Sequence, residues 1–315
     1  MSWTVAALAA LLLWSIAGQR VLSAFHEHGS PSARVMLTLW TLTTTTWLLT
    51  CVVMLTTLAT QAMGPGVKAF IAACVSLIQA AHNNGAQGVL FTVALLAVAG
   101  ITRLTWTALR RRRARTNWVR NHLRWLTHSA RHRTVHQNRV WLLDSPEPLA
   151  YCLPGRDRKI VLSRGSIEQL SAKELRAVLA HERAHLDGRH HLIVAWARLL
   201  DRAFPGIPLL RVAALDVPEL VEWAADDRAA LETGSHALAH ALGVMATAKT
   251  HGSEPSLAMS GACPVRRVRR QVHAAGPESG AVVNIGAVLL ILLPLTLAAV
   301  ATVLNVALPY CECLM

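Results

Sequence analysis

The sequence has few charged residues, and acidic ones are the scarcest. Only 16% of its 315 residues are charged, and 18 aspartates and glutamates stand against 31 lysines and arginines, which gives a net charge of +13. Together with a hydrophobic content of 53%, this composition is unusual for a soluble domain of such length. It argues against a soluble enzyme and indicates a membrane protein.

Cysteine is scarce as well, with six residues in the chain. None of them is spaced as in a zinc knuckle. Cys152 and Cys263 fall where we expect reducing cytoplasm, and Cys311 and Cys313 follow the last apolar stretch. We therefore expect no metal site built from cysteines.

Apolar residues are concentrated in four stretches, each long enough to cross a hydrocarbon core of ~30 Å. They are residues 3–22, 35–63, 89–109 and 281–308. A fifth stretch, residues 67–81, is bracketed by glycine, proline and asparagine, and its length of about 15 residues suits an interfacial or re-entrant helix better than a crossing. The sequence thus predicts about four transmembrane helices.

The positions of the basic residues predict how these helices are oriented. No lysine or arginine precedes the first stretch, which argues against a signal peptide. Arg20 and Arg34 flank the first connection, and four arginines at 110–113 follow the third stretch. Four crossings place both groups in the cytoplasm, as the positive-inside rule requires. We expect a plasma-membrane protein with residues 110–280 cytoplasmic and both termini, including residues 309–315, outside.

No acidic residue occurs between Arg110 and Arg139, a segment with ten arginines. Next to a membrane span, such a segment is attracted to anionic lipid, by about 1 kcal/mol for each basic residue close to the surface. Direct nucleic-acid binding is the less favoured interpretation, because no recognition motif accompanies the charge. We interpret residues 110–139 as a basic juxtamembrane segment.

The sequence His181-Glu182-Arg183-Ala184-His185 points to chemistry. Two histidines four residues apart on a helix face the same way and can bind one zinc ion. The glutamate between them then lies where a general base accepts a proton from a water whose pKa the ion lowers to about 7. The motif therefore predicts metal-assisted hydrolysis, with His181 and His185 as ligands and Glu182 as the base.

The motif lies in a segment with strong helix signals. Ser171 and Glu174 form a capping box, apolar residues recur at helical spacing, and Gly188 is a plausible end. Short strands are expected just before this helix, at about residues 140–143 and 160–163.

Glu222 is the favoured third ligand. Pro218 suits the first turn of a second helix, which would project Glu222 and Asp226 from one face. Asp226 could then accept a hydrogen bond from the free ring nitrogen of a ligand histidine. The rival ligands are acidic neighbours and histidines beyond the first helix: Glu219, Asp227, His190 and His191.

Several short motifs precede the two histidines, at residues 144–146, 150–155, 160–165 and 170–175. With the segment 178–185, they resemble the membrane metallopeptidases of the BlaR/MecR antirepressor type, whose relatives are the HtpX-like and CAAX-prenyl proteases. The resemblance covers residues 140–235. It implies a gluzincin-type α+β metalloprotease domain, here at residues 140–280 of a mainly α-helical multi-pass protein. It also implies that His181, His185 and Glu222 hold one Zn²⁺. Glu182 would be the base, and Asp226 would support a ligand.

The resemblance also implies a function and leaves one difference. It implies cleavage of a cytoplasmic BlaI/MecI-like repressor in a signalling pathway, and possible self-cleavage near a second basic cluster, Arg266, Arg267, Arg269 and Arg270. The alternatives are an HtpX-like quality-control protease and a catalytically silent receptor. Because few residues follow the last predicted span, we expect the penicillin-sensor domain of the antirepressors to be absent.

Overall fold

The computed structural model describes residues 2–29, 32–63, 86–155, 158–248, 263–273 and 285–312. The predicted interfacial stretch, residues 67–81, lies outside this part of the chain. The first elements are helices α1 (Ser2–Gly29), α2 (Ala33–Met63) and α3 (Ala86–Ser129). Strands follow, β1 (Ala130–Val135), β2 (Asn138–Leu143), β3 (Ala150–Leu153) and β4 (Lys159–Ser163). The remaining helices are α4 (Arg164–Gln169), α5 (Ala172–Asp187), α6 (His190–Ala203), α7 (Pro208–Thr233), α8 (Ser235–Ala248), α9 (Pro264–His273) and α10 (Ile285–Glu312).

The four strands form one sheet in the order β1-β2-β4-β3. The central strands β2 and β4 are parallel, with Val140 opposite Ile160, and the edge strands pair antiparallel to them. Val140 and Ile160 are buried in one apolar cluster with Leu175 and Leu179 of α5. The sheet therefore packs on the helix that carries the two histidines and fixes its position.

The strands expected at residues 140–143 and 160–163 are confirmed as β2 and β4. The sequence did not predict β1 or β3. Strand β1 has charged or polar side chains on both faces and is mostly exposed, so it lacks the apolar alternation that marks a half-buried strand.

The predicted span and the basic segment after it lie mostly in one helix. Helix α3 runs without a break from Ala86 to Ser129, because arginine is a good helix former and no glycine or proline interrupts its second half. The predicted span at 89–109 and most of the basic segment thus share one helix. The expected domain start at residue 140 falls inside β2, which pairs with β1.

Two of the described helices are long and apolar enough to cross a membrane. They contain Val5–Ala24 of α1 and Ala33–Thr57 of α2, and a shorter apolar stretch, Val288–Ala301, lies in α10. These two helices suggest association with a membrane. The four crossings expected from the sequence are not shown and stay a prediction.

Helices α1 and α2 pack directly against helices that follow the sheet. Leu22 of α1 and Trp40 of α2 are buried in the same cluster as Leu209 and Leu210 of α7. The indole Nε1 of Trp196 in α6 also donates a hydrogen bond of 3.2 Å to a threonine hydroxyl of α2. The candidate membrane helices therefore share one apolar core with α6 and α7.

Candidate metal centre

Helix α5 begins and ends as its sequence predicts. The Ser171 amide donates to the Glu174 carboxylate at 2.8 Å, and the Glu174 amide donates back to the Ser171 hydroxyl at 3.4 Å. These bonds satisfy amides of the first turn that have no partner within the helix. The helix ends at Gly188. This stretch of helix presents His181 and His185 one turn apart.

Helix α7 begins earlier than the sequence predicts. Pro208, not Pro218, occupies its first turn, and Pro218 lies inside the helix. An internal proline removes one backbone hydrogen bond, but residues on both sides of Pro218 are buried in the core with α1 and α2, and this packing supports the helix. The expected consequence still holds, since Glu222 and Asp226 lie one turn apart on a buried face.

The structure brings His181, His185 and Glu222 together. The two imidazole Nε2 atoms are 3.0 Å apart. Each lies 3.6 Å from a different oxygen of the Glu222 carboxylate, His181 from Oε2 and His185 from Oε1. The three candidate ligand atoms all lie within 4.8 Å of one another. Zinc bonds of about 2.0–2.1 Å in tetrahedral geometry require ligand atoms to be separated by about 3.3–3.5 Å. The two histidines and the carboxylate are a donor set that zinc uses, and the shortest separations, 3.0 and 3.6 Å, lie close to this spacing.

Asp226 lies behind one of these histidines. Its carboxylate oxygen is 3.0 Å from Nδ1 of His181, the ring nitrogen that faces away from His185, and its side chain is only 1% exposed. A buried carboxylate at the outer nitrogen orients the imidazole and favours the tautomer that leaves Nε2 free for a metal.

Arg267 of α9 completes this arrangement, and sequence reasoning missed it. Its guanidinium donates hydrogen bonds of 2.8 and 2.6 Å to the Asp226 carboxylate, and it lies 3.1 Å from the Glu222 carboxylate. Its side chain is 13% exposed. A nearly buried cation thus balances two buried carboxylates of the candidate metal site.

Other arginines of α9 bind the acidic rivals of Glu222. Arg266 forms an ion pair of 3.3 Å with Glu219, and Arg270 donates two hydrogen bonds to Asp227. Acidic residues at helical spacing on α7 therefore face arginines at helical spacing on α9, a signal that the sequence does contain. The arginines named as a possible self-cleavage region lie in this helix, and cleavage there would require the helix to unwind. Residues 249–262, just before it, lie outside the described residues.

His190 lies beyond the first helix, as expected, and it packs against a candidate ligand instead of joining the three candidate ligands. It is buried in the first turn of α6, and its Nδ1 lies 3.1 Å from Nδ1 of His185. His191 is only half-buried. The sequence did not predict this contact. Helical periodicity does not predict the sharp turn at Gly188 and Arg189, which places His190 beside His185.

Glu182 lies on the inner side of α5 and is buried. The thiol of Cys152 in edge strand β3 contacts its carboxylate. Burial raises the pKa of Glu182, the charge of Glu222 adds to this effect, and His181 opposes it. A carboxylate with a raised pKa is a better proton acceptor at neutral pH.

Burial and nearby charges shift the pKa values of the two motif histidines in opposite directions. Burial alone would lower the pKa of His181, but the carboxylates of Asp226 and Glu222 outweigh burial and raise the pKa to about 9. Burial and the neighbouring His181 charge lower the pKa of His185 to about 3. The pKa of Glu222 is lowered despite its burial, because both histidines and Arg267 favour its charged form. Without metal, these carboxylates therefore favour the protonated, imidazolium form of His181, and burial favours the neutral form of His185.

Residues 113–214 match the model of peptidase family M48. The match includes the sheet, α5 and both motif histidines, and it ends before Glu222. It supports a metallopeptidase of this family, whose members depend on a metal, whereas the antirepressor subfamily is not shown. No curated protein and no solved structure matches the chain.

A cavity of about 530 Å³ lies between α2 and helices α5, α6 and α7. Its wall includes Arg34 and Thr41 of α2, Asp187 and His190 near the motif, and Arg228 of α7. One side of the cavity thus belongs to a candidate membrane helix, and the other side reaches a residue that contacts His185.

Proposed function

We propose that this protein is a membrane-anchored zinc metalloendopeptidase. The observation that carries the proposal is the convergence of His181, His185 and Glu222 on one point, with their ligand atoms within 4.8 Å of one another. The match to peptidase family M48 supports the same conclusion. A catalytically silent receptor is less consistent with this arrangement, because buried polar groups that serve no function are costly to keep.

Each residue has a role in this proposal. His181, His185 and Glu222 hold one Zn²⁺, which when bound supplies a Lewis acid for peptide hydrolysis. Glu182 accepts the proton of the attacking water and returns it to the leaving amine. Asp226 orients His181, and Arg267 keeps Asp226 and Glu222 in their charged forms.

Strand β3 offers a way to bind the substrate. It is an edge strand, paired with β4 on one side, and its Cys152 contacts Glu182. An extended peptide that pairs with a free strand edge is bound through its backbone, with little dependence on side chains. We infer that the substrate lies along β3. An internal peptide bond of the substrate would then lie beside Glu182.

The resemblance to the antirepressor peptidases supports a cytoplasmic protein as substrate, specifically a BlaI/MecI-like repressor. This role requires the proposed topology of four crossings, with the peptidase region in the cytoplasm and both termini outside. The basic segment at residues 110–139 then lies next to anionic lipid. Self-cleavage between residues 252 and 270 is part of the same proposal.

The cavity beside α2 favours one second candidate, quality control of membrane proteins as in the HtpX-like proteases. Arg34 and Thr41 line it from a helix that is long and apolar enough to cross a membrane. The cavity would give a substrate segment from a bilayer a path between α2 and His190, which contacts the candidate ligand His185.

Mass spectrometry of whole-cell lysates and of membranes, from cells that make wild-type protein or the Glu182→Gln variant, distinguishes these functions. Loss of an intact repressor, and a fragment that begins between residues 252 and 270, both in wild type alone, support the signalling function. An unchanged repressor with misfolded membrane proteins accumulating in the variant supports quality control. A fragment seen equally in both membranes belongs to another protease.

A further inference from the structure

We propose that His190 is a positioning residue that holds the candidate ligand His185 through its outer ring nitrogen. The proposal rests on the metallopeptidase function proposed above and adds a residue that neither the sequence motif nor the family match marks as functional.

The geometry of the two rings carries this proposal. Nε2 of His185 faces His181 and Glu222, at 3.0 and 3.6 Å. Its other nitrogen, Nδ1, lies 3.1 Å from Nδ1 of His190, and the two rings are nearly perpendicular, at 87°. A neutral imidazole that offers Nε2 to a metal carries its proton on Nδ1. That N–H can donate to the unprotonated Nδ1 of His190.

The backbone before His190 is shaped to admit its ring. A β-carbon on Gly188 would lie 2.3 Å from Nε2 and 2.5 Å from Cδ2 of His190. Gly188 has an ordinary right-handed backbone, with φ of −72°, so space and not conformation requires glycine here. Arg189 adopts a left-handed conformation with φ of 47°, which is unfavourable for a side chain of its size. The unfavourable backbone conformation of Arg189 is thus part of the turn that brings His190 against His185.

Both motif histidines thus have a buried partner at the nitrogen that faces away from the metal position. For His181 the partner is Asp226, at 3.0 Å, and for His185 it is His190. Partners of this kind fix the ring orientation and tautomer of a ligand, and their loss typically costs about 10–100-fold in metal affinity. The neighbouring His191 is half-buried and lies near Arg115 and Arg189 instead. It is therefore a matched control.

The test measures zinc affinity of the full-length protein in detergent, by competition with a chelator, for wild type and substituted proteins. We expect His190→Leu to weaken zinc binding about 10–100-fold and His191→Leu to leave it within about twofold. His190→Asn should restore most of the affinity, because its amide oxygen reaches the position of Nδ1. His190→Gln, whose amide group lies one bond further out, should not. Both His190→Asn and His190→Gln keep a polar residue at this position. Their comparison therefore tests the proposal even if His190→Leu does not fold.

A double-mutant cycle gives a second test. Gly188→Ala should displace the His190 ring and reproduce the loss of affinity, and adding Gly188→Ala to His190→Leu should cost little more, because both changes remove one interaction. The absorption spectrum of the cobalt-substituted protein should change in His190→Leu and Gly188→Ala but not in His191→Leu.

Wild-type protein that binds no zinc contradicts the proposed function itself. Wild type that binds zinc tightly, with His190→Leu and Gly188→Ala equal to it, contradicts the role of His190 alone. Equal losses in His190→Asn and His190→Gln also overturn it, because the ring would then act through its volume and not through Nδ1.

Discussion

Arg267 donates two hydrogen bonds to the carboxylate of Asp226, from 41 residues further along the chain. Asp226 in turn lies 3.0 Å from Nδ1 of His181. Helix α9, which carries Arg267, is thereby joined to α7 and to the candidate metal site through buried charges. Arg267 also lies 3.4 Å from Nε2 of His181, so a movement of α9 would reach His181 directly as well as through Asp226.

Removal of the Arg267 charge should destabilise the protein. Its side chain is 13% exposed and lies between the carboxylates of Asp226 and Glu222, so Arg267→Met leaves two buried carboxylates with only His181 to balance their charge. Breaking a buried ion pair in this way costs about 3–5 kcal/mol. We expect a lower midpoint of thermal unfolding for metal-free Arg267→Met. The exposed Arg269→Met serves as the control, and equal midpoints for the two variants would contradict the prediction.

Asp226→Asn should weaken zinc binding without removing the ligands. Asparagine keeps the shape of the side chain but loses the charge that favours the required tautomer of His181, and we expect a loss of about 10–100-fold in affinity or activity. Asp227→Asn, one position along the helix, is the matched control. Chelator competition measures both. An affinity for Asp226→Asn equal to that of the control would place the support for His181 elsewhere.

Zinc uptake should depend steeply on pH. Buried and facing two carboxylates, His181 has its pKa raised to about 9, so its protonated form dominates below that pH. A metal binds only the neutral imidazole, and one proton must leave with each ion. Apparent zinc affinity should therefore rise about tenfold per pH unit up to about pH 9. Calorimetry in buffers of different ionisation enthalpy measures this proton release, and zinc uptake without it at pH 7 would contradict the assigned charge.

The proposed topology predicts the results of reporter fusions. Fusions after Gly29 and Ser171 should report the cytoplasm, and fusions near Asn84 and at Met315 the exterior, since four crossings alternate between the two sides. Agreement between Asn84 and Gly29 would show that the count of crossings is wrong and that the basic residues need a different assignment.

Local patterns predicted the parts of the site that lie within one helix. The capping box, the end at Gly188 and the shared face of His181 and His185 all follow from helical spacing. The strands at 140–143 and 160–163 were predictable because their side chains are buried and apolar. Pro218 misled the prediction of α7, because a proline that suits a first turn can also lie inside a helix whose packing compensates for the lost hydrogen bond.

Long-range packing determines what the sequence could not predict. The acidic partners of Arg267 become visible only when α9 is seen packed on α7, and the contact of His190 with His185 becomes visible only when the turn at Gly188 is seen. Both positions depend on contacts between elements. The helical spacing of the acidic residues on α7 and of the arginines on α9 is compatible with the first contact, but periodicity within one segment does not show which segments pack together. The antiparallel edge strands β1 and β3 were missed for a similar reason, since their pairing defines them more than their composition does.

The central claim is that His181, His185 and Glu222 hold a zinc ion that Glu182 uses to cleave peptide bonds. Bound zinc and cleavage of an unfolded protein substrate, measured on the same purified preparations, test it most directly. We expect about one zinc per chain and cleavage for wild type, zinc without cleavage for Glu182→Gln, and neither for His185→Ala. Cleavage that persists in Glu182→Gln, or full zinc content in His185→Ala, would contradict the account.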